Sequence, residues 1–180
     1  MTDFMQIITE RRSVRKYEEK EIPNEILNEL LKAVQWAPSW ANTQCWEIIV
    51  IKDKDIRHKM QDTITPKNPC SKAIVAAPVL IAFCGKLKQA GYYKENATTK
   101  FGDWFMYDLG LATQNLCLAA QSFGLGTVIA GSFDHAKAKE ILKLPEGYEV
   151  VTLVPIGYPD GNTKPPKRRD IDNFIHHDVF

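Results

Sequence analysis

The segment from Asp103 to Phe123 constrains the fold more than any other part of the chain. Apolar side chains recur along it at helical spacing, and Gly124 follows as a natural C-terminal cap. The face expected to be buried carries Trp104, Tyr107, Leu111, Leu118 and Ala119, widened by Leu116. Because small and apolar residues cover much of the circumference, we expect this helix to be buried on several sides, at a domain centre or between subunits.

The remaining elements are shorter and do not alternate regularly between strand and helix. β-Branched or continuously apolar runs predict strands over residues 46–51, 78–84 and 150–156, and residues 126–133 are expected to run from a strand into a loop. Helical spacing and capping residues predict helices over residues 4–8, 24–37, 53–62 and 134–144. The pattern favours an α+β fold with three layers, α/β/α, over a regular doubly wound nucleotide-binding fold.

Length and charge set limits on domains and partners. A chain of 180 residues forms one domain, 1–180, and its formal net charge of +1 provides no global attraction to nucleic acid or to an anionic membrane. The most apolar run, residues 73–84, is too short to span a bilayer. The N-terminus lacks the basic start and apolar run of a signal peptide, so a cytoplasmic location is expected.

The cysteines and histidines indicate neither disulfides nor a metal site. Cys45, Cys70, Cys84 and Cys117 form no CxxC pair, and we expect reduced, buried thiols. His176 and His177 lie in a polar tail without suitably spaced partners, so no metal ligand is assigned.

A basic cluster follows the first helix. Arg11, Arg12, Ser13 and Arg15 are suited to a phosphate, since guanidinium groups fork onto phosphate oxygens and a serine hydroxyl donates a further hydrogen bond. A solvated basic surface explains the same residues equally simply.

A polar segment lies between the second helix and the first strand. It runs Pro38-Ser39-Trp40-Ala41-Asn42-Thr43-Gln44-Cys45-Trp46. Its amide and hydroxyl groups both donate and accept hydrogen bonds, which suits the edge of a heterocycle or a polyol. A capped turn without a ligand is the alternative.

The order of these motifs resembles the nitroreductase family of flavoproteins. Arg-x-Ser-x-Arg is followed by a helix and then by Pro-Ser-x-x-Asn-x-Gln-x-Trp entering a strand. Further along, similar motifs are Asp108-Leu109-Gly110 with Asn115-Leu116, Gly124-Leu125-Gly126-Thr127, Val154-Pro155-Ile156-Gly157-Tyr158-Pro159 and Lys167-Arg168-Arg169. The resemblance covers nearly the whole chain and is weakest over residues 85–102.

The resemblance implies a nitroreductase-like fold with a central, mostly antiparallel sheet and tightly bound FMN at a homodimer interface. The residues implied to bind FMN are Arg11, Arg12, Ser13 and Arg15 from one subunit; Pro38, Ser39, Trp40, Asn42 and Gln44 from the other; the backbone N–H groups of Ala130 and Gly131 near flavin N5; and Arg168 and Arg169, with Lys167 as an alternative. Residues 158–180 would form an arm that wraps the partner subunit.

The implied activity is hydride transfer from NAD(P)H, through flavin N5, to a nitroaromatic, quinone or similar acceptor by a ping-pong mechanism. The chemistry then belongs to the cofactor, and no protein residue is assigned as catalytic. Two alternatives stay open: the same fold with another reaction, such as dehalogenation, flavin breakdown or dehydrogenation, and a non-catalytic anion-binding protein.

Three features lie outside the assigned site. The family usually has a proline where this chain has Cys45, which is expected to change the stiffness of the loop. Asn68 and Lys72 are candidate flavin contacts whose spacing does not match cleanly. Asp103 and Asp108 are expected to be solvated or capping groups, and aromatic residues around 85–102 are candidate substrate contacts.

Overall fold

The computed structural model describes residues 3–180 as helices around one main sheet. The helices are α1 (Phe4–Glu10), α2 (Asn24–Gln35), α3 (Lys54–Gln61), α4 (Ser71–Ala76), α5 (Phe105–Ser122) and α6 (His135–Ile141). The strands are β1 (Trp46–Ile51), β2 (Val79–Lys86), β3 (Tyr92–Tyr93), β4 (Asn96–Ala97), β5 (Gly126–Thr127) and β6 (Tyr148–Gly157).

The main sheet has the strand order β1-β2-β6-β5, and every neighbouring pair is antiparallel. Antiparallel neighbours that are distant in sequence require long connections, and these connections carry the helices. The expected α+β fold with an antiparallel sheet is thereby confirmed.

Strand β2 shows why the domain has three layers. Its residues alternate between two apolar clusters: Leu80, Ala82 and Cys84 pack on one side of the sheet, and Val79, Ile81 and Phe83 on the other. The first side is covered by α3, α4 and α6, and the second by α2 and α5. Because successive side chains of a strand point to opposite faces, a strand buried on both faces reads as a continuous apolar run.

The buried face of α5 differs from the expected one. Its buried apolar residues include Leu109, Ala112, Leu116 and Ala120, whereas Tyr107 is 60% exposed. The helix is apolar over much of its circumference, so periodicity alone does not distinguish the face packed on the sheet from the face that points outward. The outward stripe of α5, which includes Met106, Tyr107 and Gly110, is exposed to solvent on the single chain.

Other elements also depart from the expected bounds. Helix α4 lies between the predicted helix over residues 53–62 and the predicted strand over residues 78–84, where no helix was predicted, and the segment over residues 126–133 is a regular strand only at Gly126–Thr127. The irregular stretch 85–102 contains the β3–β4 hairpin, whose turn residues Lys94 and Glu95 both have positive φ. Such turns match the twist of paired strands. All four cysteines are free and buried.

Apolar residues at both ends of the chain lie on the surface. No residue of α1 is buried, although Phe4, Met5 and Ile8 are among its members. Residues 160–180 are exposed throughout, including Ile171 and Phe174. Within residues 3–180, no helix combines the length and the apolar character that crossing a membrane requires.

Candidate functional site

The arginine segment, residues 11–15, leaves α1 and runs extended beside β5. The N–H of Val14 donates to a β5 carbonyl at 2.9 Å, and the Val14 side chain is buried. Since side chains alternate along an extended chain, Ser13 and Arg15 lie on the side opposite Val14. A Cβ added to Gly126 would lie 2.6 Å from the Val14 side chain. This close approach, which requires glycine, fixes the position of the segment.

A cavity of about 410 Å³, the arginine cavity, opens between this segment and the C-terminal arm. It is lined by Arg11, Arg12, Ser13, Arg15, Thr163, Lys164, Pro166 and Arg168. Every charged residue in this set is a cation, and within residues 3–180 none of them forms an ion pair. Cations without acidic partners, together with a hydroxyl donor, fit a phosphate group.

The three neighbouring cations of the arm have different surroundings. Arg168 lines the arginine cavity, while Lys167 and Arg169 do not. The guanidinium of Arg169 donates to the carbonyl of Asn173 and lies 5.7 Å from the centre of the Phe174 ring. Among these residues, only Arg168 joins the cluster around Ser13.

The polar loop, residues 38–45, has an unusual backbone. Ala41, Asn42 and Gln44 have φ angles of 43°, 54° and 47°. Left-handed conformations cost residues other than glycine about 1–2 kcal/mol each, although asparagine tolerates them better. A loop with three such residues keeps its shape only if the surrounding structure holds it.

Three side chains hold the polar loop. Both carboxylate oxygens of Asp108 accept from the N–H of Trp40, each at 3.1 Å. The N–H of Gln44 donates to Oγ of Ser39 at 2.9 Å, and the side-chain amide of Gln89 donates to a loop carbonyl at 2.9 Å. The loop is therefore tied to itself, to α5 and to the segment that follows β2.

Asp108 is the functional candidate that sequence reasoning missed. It was expected to be solvated or to cap the helix, but it is 1% exposed in the first turn of α5 and accepts its hydrogen bonds from the polar loop. Burial raises the pKa of the Asp108 carboxyl above its usual value, while hydrogen bonds from Trp40 and Cys45 oppose that rise. An acidic residue within a helix that reads as buried was the available signal, because carboxylates are rarely buried without partners.

An aromatic cavity of about 290 Å³ lies between the polar loop and α5. Its walls include Trp40, Trp104 and Tyr107, and Asp108 also lines it. The ring centres of Trp40 and Trp104 are 5.1 Å apart, and those of Trp104 and Tyr107 are 5.4 Å apart. Flat apolar walls with a few polar groups suit a small aromatic ligand.

Another cavity beside the polar loop, of about 390 Å³, is separate from the aromatic cavity. Asn42 and Gln44 line it together with Trp36, whose side chain is 82% exposed. The side-chain amide of Gln44 donates to Oδ1 of Asn42 at 3.3 Å. None of the residues lining the arginine cavity lines either cavity beside the polar loop.

The backbone at Ala130 and Gly131 corrects one expectation. Ala130 is buried and pairs with Leu153 of β6, each N–H donating to the other's carbonyl at 2.9 Å. The N–H of Ala130 is therefore used within the fold. Gly131 is exposed, and its N–H donates no hydrogen bond within residues 3–180. Of the two residues, only Gly131 has an N–H available for a ligand.

The loop before α4 lies against the segment that follows Gly131. The hydroxyls of Thr65 and Ser132 are 2.8 Å apart, and the side-chain amide of Asn68 donates to the carbonyl of Ser132 at 3.4 Å. Lys72 is exposed. This contact joins residues far apart in sequence, which explains why spacing alone left Asn68 unassigned.

Comparisons with known proteins found one matching family and several similar proteins. The pattern of the nitroreductase family matches residues 8–69 and 63–158. The chain is 32% identical, over 88% of its length and 87% of the relative's, to a protein of Archaeoglobus fulgidus provisionally named NADH dehydrogenase/NAD(P)H nitroreductase. It is 26% identical to mouse iodotyrosine deiodinase 1, covering 96% of this chain and 68% of that one. An FMN-dependent nitroreductase structure from Clostridium difficile R20291 superimposes with a TM-score of 0.81 at 26% identity, covering 98% of this chain and 99% of that one.

Proposed function

This chain belongs to the nitroreductase family and is an oxidoreductase, and we propose that it binds FMN between two copies of itself and uses NAD(P)H to reduce small aromatic acceptors such as nitroaromatics and quinones. The observation that carries the proposal is the arginine cavity, in which Arg11, Arg12, Arg15 and Arg168 surround Ser13. These residues offer a phosphate several charge-assisted hydrogen bonds. The C. difficile relative described as FMN-dependent has the same fold.

Two further features support a cofactor shared between subunits. The arginine cavity and the cavities beside the polar loop have no lining residue in common. The apolar residues of α1 and the outward stripe of α5 are exposed on the single chain. Exposed apolar surface of this kind marks an interaction face, and a second copy of the chain would cover it and bring its polar loop to the arginine cavity.

In this proposal each residue has a binding or orienting task. Arg11, Arg12, Ser13 and Arg168 hold the phosphate, and Arg15 provides a positive charge that stabilises negative charge on the ring. The N–H of Gly131 would be a donor to the ring, which would be lined by five residues of the second copy: Pro38, Ser39, Trp40, Asn42 and Gln44. When bound, FMN would supply the redox chemistry for reduction of the acceptor at the expense of NAD(P)H, while these residues hold and orient it.

The aromatic cavity is the candidate place for the acceptor. Trp40 and Tyr107 would hold a flat ring and exclude water, and the volume of about 290 Å³ suits a single-ring compound. The exposed ring of Phe101, 6.2 Å from the Trp104 ring centre, extends this surface toward the β3–β4 hairpin.

An absorption spectrum of the purified protein tests the proposal. The expected result is an oxidised-flavin spectrum that bleaches when NADH or NADPH is added without oxygen and returns when a nitroaromatic or quinone is added. The test variant combines Arg15→Ala with Arg168→Ala. It removes two cations from the arginine cavity and should lower the flavin content of the purified protein. Wild-type protein that carries no flavin and cannot be reconstituted with FMN would refute the proposal.

Reductive dehalogenation is a second candidate reaction for the same site. The specific observation is the match to mouse iodotyrosine deiodinase 1 along 96% of this chain. Halide released from an iodophenol by the reduced enzyme, at a rate above that of nitroaromatic reduction, would favour it. Nitroaromatic or quinone reduction without halide release would favour the first candidate.

A further inference from the structure

The polar loop keeps a conformation that its own sequence does not favour. Ala41, Asn42 and Gln44 are left-handed, and none of them is glycine. Two hydrogen bonds within the loop, from Gln44 to Ser39 and from Gln44 to Asn42, move with the loop and leave its position on the domain unset. The position must come from a contact to another element.

Asp108 provides such a contact at both ends of the loop, and Gln89 adds one hydrogen bond between them, to the carbonyl of Thr43. At the start, its two oxygens accept from the N–H of Trp40 at 3.1 Å. At the end, the thiol of Cys45 lies 3.5 Å from Oδ2 of the same carboxylate. One buried carboxylate therefore fixes the distance between the two ends, and the residues between them arch outward, which leaves Asn42 and Gln44 exposed.

The hydrogen-bonding roles in this arrangement are settled by chemistry. Burial raises the pKa of Cys45 to about 12, so the group stays a thiol and donates. Within residues 3–180, Asp108 has no Lys, Arg or His partner at ion-pair distance. Its charge is stabilised by the N–H of Trp40, by the thiol and by the N-terminus of α5. Burying a carboxylate without a cation partner costs free energy of folding. The contribution of Asp108 to stability alone therefore does not explain its presence.

We propose that Asp108 is a positioning residue, which clamps Trp40 and Cys45 and so holds the polar loop in the shape that presents Ser39, Asn42 and Gln44 to the cofactor. The inference rests on the proposed function for the identity of the cofactor. The clamp itself is a property of the chain and is measurable without FMN. The same clamp sets the Trp40 ring against Trp104 and thereby one wall of the aromatic cavity.

The test compares Asp108→Asn, Asp108→Ala and Cys45→Ala with the wild type in two measurements. The first is backbone hydrogen exchange of flavin-free protein over residues 39–45, and the second is the dissociation constant for FMN. Asp108→Ala should speed exchange of the Trp40 amide and weaken FMN binding, each by about tenfold, the loss expected for a hydrogen bond to a charged group. Asp108→Asn and Cys45→Ala should give smaller changes in the same direction, since each keeps part of the clamp.

Thr113→Val is the matched control, because Thr113 is also buried in α5 and makes no hydrogen bond to the loop. It should change neither measurement. A merely structural Asp108 would instead speed exchange in β2 as well as in the loop, and this result would overturn the proposal. Unchanged loop exchange, or faster loop exchange with unchanged FMN affinity, would also overturn it.

The two proposals fail in distinguishable ways. Wild-type protein that never binds FMN overturns the proposed function and, with it, the cofactor half of this inference, whatever the exchange data show. Wild-type protein that binds FMN, with variants that bind it equally well, overturns only the role of Asp108.

Discussion

Arg168 and Arg169 are neighbours in sequence with different surroundings. Arg168 lines the arginine cavity, whereas Arg169 is engaged with Asn173 and Phe174 of the arm. We therefore expect Arg168→Ala to weaken FMN binding by about tenfold or more, the equivalent of one charge-assisted hydrogen bond. Arg169→Ala should have a clearly smaller effect. Fluorescence titration of FMN into the two flavin-free variants measures the difference.

Arg168→Lys is the informative companion to this pair. It keeps the charge and loses the two-pronged geometry of guanidinium, so its affinity should lie between wild type and Arg168→Ala. If the two alanine variants lose the same FMN affinity, the assignment of Arg168 as the phosphate-binding residue of the arm is contradicted.

The pH dependence of stability reports on Asp108. Burial raises the pKa of Asp108 in the folded state, so folding favours the neutral acid. The favourable contribution is complete below the unfolded-state pKa of about 3.9 and is lost as pH rises through the folded-state value. We expect the wild type to lose stability relative to Asp108→Asn over this rise. Denaturant unfolding at steps between about pH 4 and pH 8 checks this, and parallel curves for the two proteins would contradict it.

At the residue scale, sequence reasoning identified side chains by chemical type and missed those that act through tertiary contacts. The arginine cavity brings together Arg11, Arg12, Ser13, Arg15 and Arg168, all of them chosen from the sequence. Asp108 was missed, since its partners on the polar loop are more than sixty residues away. The N–H of Ala130 was assigned to a ligand because β pairing of that residue to β6 could not be seen from local pattern.

Helix α5 has two apolar stripes, and only one of them is used by the single chain. The outward stripe includes Met106, Tyr107 and Gly110, and a Cβ added to Gly110 would meet no atom within 4 Å. A larger side chain there costs the isolated fold nothing and would block a second helix packed on this face. We expect Gly110→Arg to leave the thermal midpoint nearly unchanged and to prevent formation of the proposed homodimer, as measured by light scattering after size exclusion.

Glu140→Arg is a matched control, because Glu140 is exposed on α6, across the sheet from α5. It should leave the dimer intact. A Gly110→Arg protein that remains dimeric would place the subunit interface elsewhere.

At the element scale, the order of helices and strands was largely predictable, while their packing was not. β2 was recognised because burial on both faces makes it continuously apolar. For α5 the same uniformity concealed which stripe meets the sheet, so Tyr107 was placed inside. Helix α4 has only six residues, too few for a periodic pattern to show.

At the scale of the whole molecule, the C-terminal arm contributes to the site but not to the core. No residue from 160 to 180 is buried, whereas Lys164 and Arg168 line the arginine cavity. We expect a chain ending at residue 159 to keep its helical and strand content and cooperative unfolding, and to lose FMN affinity and dimerisation. Circular dichroism, FMN titration and sedimentation together measure this. A truncated protein that dimerises and binds FMN like the full chain would contradict the proposed role of the arm.

The separation between the arginine cavity and the cavities of the polar loop has a consequence for how the cell would control such an enzyme. If each cofactor needs one half-site from each of two copies, the active fraction depends on how often copies meet as well as on how much FMN is present. At low expression, doubling synthesis would more than double the number of loaded sites. Activity would then rise steeply once the chain concentration is high enough for two copies to associate. Two inactive variants, one defective in the arginine cavity and the other in the polar loop, would restore activity when they are mixed, because one of the two sites of a mixed dimer is intact.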